Sequence, residues 1–134
     1  MKDVKPLDEI DSYMLFSQHE DVFLFDKDSN KEVWRTSMYG NATCGLLGLV
    51  NEWAVIGGEH LIVWIDNKLN PITDTELKWI HDLRQIGDDE IEILIDPWSE
   101  RSAVWQLNLK TFKKTRIKDF NDYKDQPYQD KVNW

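Results

Sequence analysis

The sequence is short of cysteine, of basic residues and of long apolar runs, and each shortage excludes something. One cysteine, Cys44, can form neither an intramolecular disulfide nor a thiolate cluster. Apolar runs stop at about five residues, far below the roughly twenty that cross a bilayer as a helix. The first residues, MKDVKPLDEIDSY, hold no apolar h-region, so no secretory signal is expected and the cytoplasm is the expected compartment. Lys and Arg number 16 against 25 Asp and Glu, a formal net charge of −9. That balance lacks the basic footprint of a nucleic-acid binder and does not suit an anionic membrane surface, but it suits steering toward a basic partner.

Catalytic signatures are missing too. No GxSxG, GxGxxG, HExxH or phosphate-binding glycine loop occurs. Cys44 stands between Thr43 and Gly45 with no histidine close in sequence. His19-Glu20 and Glu59-His60 fall in corresponding turns, where two histidines and two carboxylates have the chemistry of metal ligands. A third such pair does not recur, since Ser99 and Glu100 stand at that place, and polar residues at a hairpin tip account for the rest. The expectation is a non-enzymatic protein with no metal and no cofactor.

What is present is a repeat. Residues 53–72, WAVIGGEHLIVWIDNKLNPI, read as a strand over 53–56, a turn on Gly57-Gly58, a strand over 61–65, a turn over 66–70 and a short third strand. Forty positions earlier Tyr13 stands under Trp53, Phe16 under Ile56, Val22 under Ile62, Phe25 under Ile65 and Asp26 under Asp66. A looser third copy sets Ile93 under Val55 at a spacing of 38 and Asn108 under Asp66 at 42, which places an insertion of four residues in the loop DPWSERS. The units run over about 13–36, 46–73 and 84–117, with an irregular lead-in over 1–12 and a polar tail over 118–134, all within a single domain. Thr73 and Glu76 have capping-box spacing, which predicts a short helix over about 74–81; a strand over 77–86 is the competing reading.

The inner strands are apolar at nearly every position, as in Val22-Phe23-Leu24-Phe25 and Leu61-Ile62-Val63-Trp64-Ile65. Continuous runs mean that both faces are covered, whereas a strand with one wet face alternates. Glu32 to Thr36 and Lys113 to Ile117 do alternate, as outermost strands should. Of the seven tryptophans, Trp34, Trp53, Trp64 and Trp105 fall in these strands and are expected to be core. In period and pattern, residues 13–117 resemble WD-repeat or Kelch-type propeller blades, without the Gly-His and Trp-Asp signatures. The expected fold is all-β with at most one short helix. Three blades are too few to close a ring, so they should form an open half-propeller of antiparallel sheets. An ordinary antiparallel barrel or sandwich is the alternative.

The candidate binding surface is acidic and aromatic. Asp88, Asp89, Glu90, Glu92, Asp96 and Glu100 gather in sequence around Trp98, which follows a proline in the inserted loop. The tail adds Tyr123, Tyr128 and Trp134. Aromatic residues among charges are typical interface anchors. The whole profile, small, acidic, aromatic-rich and without catalytic motifs, resembles the bacterial immunity proteins that neutralise delivered toxins such as those of contact-dependent growth inhibition. That resemblance implies a non-enzymatic inhibitor of a basic toxin domain, a nuclease and in particular an RNase. A propeller-like adaptor or regulatory interaction domain is the alternative, and a small hydrolase using His19 or His60 a further one.

Overall fold

The computed structural model describes residues 4–134. Among these, twelve strands form three four-stranded antiparallel sheets, each a meander in chain order, and there is no helix. Sheet one comprises β1 (Val4–Glu9), β2 (Tyr13–Gln18), β3 (Asp21–Asp26) and β4 (Lys31–Ser37). Sheet two comprises β5 (Cys44–Leu47), β6 (Trp53–Gly57), β7 (Leu61–Ile65) and β8 (Lys68–Ile72). Sheet three comprises β9 (Ile80–Gln85), β10 (Glu90–Ile95), β11 (Ala103–Asn108) and β12 (Lys114–Asp119). Tight turns sit where the sequence offers residues that tolerate a left-handed backbone. Asp66 and Asn67 both have positive φ, 53° and 59°, and close a two-residue hairpin with Ile65 opposite Lys68.

Sheet two is the middle layer, which is why its inner strands are apolar throughout: every residue of β6 and β7 is buried. Ala54, Ile56, Ile62 and Trp64 face sheet one and pack on Leu15, Val22 and Leu24. Trp53, Val55, Leu61, Val63 and Ile65 face sheet three and pack on Ile91, Ile93, Ile95, Trp105 and Leu107. The first strands come together on one side, with β5 against both β1 and β9. Two glycines permit this approach. A Cβ at Gly45 would lie 2.7 Å from Leu15 Cδ2, and one at Gly57 2.7 Å from Ile80 Cγ2.

The two outward faces of the stack differ. On sheet three, Leu94 and Val104 are covered by Phe120 and by Tyr123, Val132 and Trp134 of the tail. On sheet one, Met14, Phe16 and Phe25 are only half-buried. Phe23 is shielded there by the Phe16 ring, 5.4 Å away, and by the Arg35 guanidinium, 4.7 Å from its ring centre.

The structure corrects several sequence expectations. The lead-in is not irregular: Val4–Glu9 pairs with β2 as β1, while residues 1–3 lie outside the described residues. The helix over 74–81 does not form. Asp74 accepts from Glu76 N through its side chain (2.9 Å) and from Leu77 N through its carbonyl (3.0 Å), a local turn that competes with helix. The Glu76 carboxylate ion-pairs with Lys114 instead of returning to Thr73, and Trp79 at φ 57° ends any helical run. The competing strand is present as β9, shorter than expected. The repeat also slips. Val55 and Ile93, aligned by spacing, point toward one another across the gap between sheets two and three. A slip of one residue sends a side chain to the opposite face. Of the four strand tryptophans, Trp53, Trp64 and Trp105 are buried as expected and Trp34 is half-buried.

Candidate functional site

Five segments meet where sheets two and three turn at one end. They are the β4–β5 connection, the β6–β7 turn, the start of β9, the β10–β11 loop and the tail. Between them lies a cleft of about 510 Å³, within the usual range for ligand-binding clefts. Its walls carry Tyr39, Glu59, Trp79, His81, Asp96, Trp98 and Tyr128, and among the described residues no lysine or arginine lines it.

The backbone beneath is tightly tied. Thr43 N donates to Gly57 O at 2.8 Å, and Ile80 N donates to Gly58 O at 2.8 Å. The Thr43 hydroxyl lies within reach of the carbonyls of Gly57 and Ile80 and has one proton to give. Trp79 is held from both sides: its N–H donates to Glu59 O at 3.0 Å and its carbonyl accepts from Asp96 N at 2.9 Å. These bonds hold it at φ 57°, a region that costs a bulky side chain on the order of 1–3 kcal/mol. Trp79 is 58% exposed at the rim of the cleft. Tyr39 and Tyr128, at 76% and 70% exposed, are the other open aromatic walls.

Trp98 belongs to the support as much as to the wall. Its ring lies 4.7 Å from Tyr128, 5.3 Å from His81 and 6.2 Å from Tyr123, and Tyr123 stacks on Phe120 at 5.9 Å. An aromatic ladder therefore runs from the outer face of sheet three into the cleft. Trp98 N donates to Asp96 Oδ1 at 3.1 Å, which fixes the loop, while its buried indole N–H meets no acceptor among the described residues. The second carboxyl oxygen of Asp96 and the carboxylate of Glu59 likewise have no hydrogen-bond partner among the described residues.

Of the sequence-predicted surface, Asp96, Trp98 and Tyr128 come together at the cleft. Asp88, Asp89 and Glu90 lie at the far end of sheet three, separated from Asp96 by the length of β10, about 20 Å for six residues. They serve the fold there: Asp88 O accepts from Trp53 Nε1 at 2.8 Å, Asp89 accepts from Asn51 Nδ2 at 2.7 Å and pairs with Lys110 at 3.4 Å, and Glu90 accepts from Gln106. Glu92 is paired with Arg84 at 2.7 Å, and Glu100 with Lys124 at 2.9 Å. Tyr123 and Trp134 are cap residues. The Tyr123 hydroxyl accepts from Asn133 N at 3.0 Å. The Trp134 indole donates to Asp82 Oδ2 at 2.9 Å and lies under the Arg84 guanidinium, 4.0 Å from its ring centre.

Sequence reasoning missed Tyr39, Glu59, Trp79 and His81 as wall residues. Tyr39 had a signal, an aromatic residue beside the turn-forming Gly40-Asn41. Trp79 had none, because its left-handed backbone is set by two distant loops. Cys44 is half-buried, and desolvation pushes its thiol up to about 12, which disfavours the reactive thiolate at neutral pH. No group of three or more potential metal ligands occurs among the described residues. A cleft with open aromatic faces and two unengaged carboxylates is chemically equipped to bind a cation. Scanning against protein-family models finds no match, and searching the curated proteins finds no similar sequence.

Proposed function

We propose that this protein is a binding inhibitor, an immunity protein that neutralises a basic toxin domain, with a nuclease and above all an RNase as the favoured target. The observation that carries this reading is the cleft itself: three open aromatic residues beside Glu59 and Asp96, with no lysine or arginine among the described wall residues, on a chain of net charge −9. Aromatic anchors supply the short-range binding of such an interface, and the acidic surface steers the encounter. In this reading the protein acts in the cytoplasm, without catalysis or cofactor.

The same reading takes the three sheets as blades of an open half-propeller. β5 lies against β1 and β9, and an apolar layer fills each gap between neighbouring sheets. The tail then closes one end of the arc and supplies Tyr128 to the cleft. The other end, with Met14, Phe16 and Phe25 half-buried, supports a second reading, a propeller-like interaction domain with a partner on that face.

The test is co-expression with the product of the gene immediately upstream, since an immunity gene commonly follows its toxin gene. Rescue of growth together with co-purification supports the proposal. An upstream product that is not toxic, or toxicity that persists with no complex formed, refutes it.

A further inference from the structure

We infer that the cleft is a receptor for a single arginine side chain presented by a protein partner. The inference deepens the binding role proposed above and rests on it only for the identity of the protein that carries the arginine.

Three independent features point to this occupant. The first is charge: Glu59 and Asp96 line the cleft, and among the described residues no lysine or arginine does. Asp96 spends one carboxyl oxygen on Trp98 N and keeps the other. The second is surface: Trp79 and Tyr128 line the cleft and are largely exposed, and aromatic rings attract a cation through the negative face of their π-system. A guanidinium fits both at once, because it is planar enough to stack on an aromatic ring and its fork of N–H donors reaches carboxylates; the compact, strongly hydrated ammonium of lysine does neither as well. The third is preorganisation. Trp79 is held in a strained backbone by hydrogen bonds to Glu59 and Asp96, the two residues that supply the charge. The backbones that carry the aromatic wall and the two carboxylates are thus tied together, which confines the ordering needed on binding to side chains. The cleft's volume of about 510 Å³ exceeds one side chain, leaving room for the neighbouring residues of a presented loop.

The experiment uses the isolated protein and needs no toxin. Three blocked tripeptides, identical except for a central arginine, lysine or citrulline, are titrated while the indole N–H signals of the tryptophans are followed by NMR. Citrulline keeps the shape of arginine and removes its charge. The arginine peptide should shift the Trp79 and Trp98 signals saturably with a dissociation constant on the order of 1 mM, as expected of one side chain. Lysine should bind more weakly by about threefold or more, and citrulline by at least about tenfold. Glu59→Gln with Asp96→Asn should weaken the arginine peptide by about tenfold and leave the remaining spectrum unchanged, because the second change keeps a side-chain carbonyl oxygen to accept from Trp98 N. Tyr128→Ala, at an exposed position, should weaken it by about threefold or more. Equal shifts with arginine and citrulline overturn the inference, as does the absence of saturation at about 20-fold above that ~1 mM constant. Saturable binding of a neutral disaccharide such as cellobiose without response to the arginine peptide also overturns it, and assigns the aromatic walls to sugar stacking. Failure of the upstream co-expression test leaves these titrations unaffected, so the two readings fail separately.

Discussion

Phe120 decides whether the tail is part of the folded unit. It follows the last residue of β12, is 3% exposed, and covers Leu94 and Val104 on the outward face of sheet three. Its N–H donates to Ser102 O at 3.2 Å and its ring stacks on Tyr123. Truncating a buried phenylalanine to alanine costs about 3–5 kcal/mol through lost transfer energy and the cavity left behind. Part of that cavity can collapse here, because the covering residues belong to a tail rather than a sheet, so Phe120→Ala should cost about 3 kcal/mol. With a urea slope of about 1.5 kcal/mol/M, the unfolding midpoint should fall by about 2 M. Tryptophan fluorescence during urea titration reads this directly. Phe112→Gly is the control: Phe112 is 40% exposed at φ 59° in the β11–β12 turn, so relief of strain should offset the lost contact to within about 1 kcal/mol. A midpoint shift below about 0.5 M for Phe120→Ala would show that the tail is not packed as core and would remove the support of the cleft's Tyr128 wall.

Other perturbations follow from the same contacts. Cys44 has a folded-state pKa raised to about 12 by burial, so the thiol's contribution to stability is complete below the unfolded value of about 8.5 and is lost as pH rises toward 12. Urea midpoints of wild type should therefore decline through that window more steeply than those of Cys44→Ala, and a thiol reagent at about pH 8, just below the unfolded thiol's value, should label the half-buried Cys44 more slowly in the folded protein than in urea. Asp74 is held below the usual carboxylate range, first by its hydrogen bond from Lys114. Lys114 is partly desolvated, which lowers its pKa, but its bonds to Asp74 and Glu76 raise it overall. The pair is partly exposed, so Lys114→Met should cost less than about 1 kcal/mol at neutral pH. The difference should vanish as pH falls through the lowered Asp74 value, and again above the raised Lys114 value; a pH-independent cost would mean that packing on Trp105 is responsible. Gly57→Ala should destabilise by about 1–3 kcal/mol, because its Cβ would meet Ile80 and the Cys44 sulfur at 2.9 Å; an unchanged urea midpoint would contradict the close approach of β6 to β9.

The middle of the molecule was legible in the sequence. Leu61-Ile62-Val63-Trp64-Ile65 is apolar at every position because sheet two is covered on both faces, and composition records that directly. The first strands of sheets one and three were less legible: β1 read as an irregular lead-in, and β9 only as the alternative to a helix. β1 reads Val-Lys-Pro-Leu-Asp-Glu and β9 reads Ile-His-Asp-Leu-Arg-Gln, and each pairs on one side only within its sheet. An edge strand has fewer faces to bury, so its composition is that of a loop. The slip in the repeat has a comparable origin. The β2–β3 hairpin turns on His19-Glu20 and the β6–β7 hairpin on Gly58-Glu59-His60, so a fixed period of forty holds for one strand of a pair and inverts the faces of the other. The cleft is assembled from five segments far apart in the chain. Trp98 and Tyr128 could be nominated as aromatic residues in polar loops, but their meeting with Trp79 and Glu59 depends on tertiary placement alone. The acidic run Asp88-Asp89-Glu90 looked continuous with Asp96 in sequence because six residues of strand are few letters and about 20 Å.

The most direct test of the binding role is the dissociation rate of the complex with the upstream gene product, measured by surface-immobilised kinetics at low and high salt. Trp79→Ala and Tyr128→Ala should each raise the dissociation rate about thirtyfold, the equivalent of ~2 kcal/mol for a desolvated aromatic anchor. Asp88→Asn with Asp89→Asn, at the far end of sheet three, should leave that rate unchanged and lower only the association rate, an effect that shrinks as salt rises. Unchanged dissociation rates in both aromatic variants, with a fast-dissociating complex when Asp88 and Asp89 are neutralised, would contradict the account and move the interface to the opposite end of the molecule.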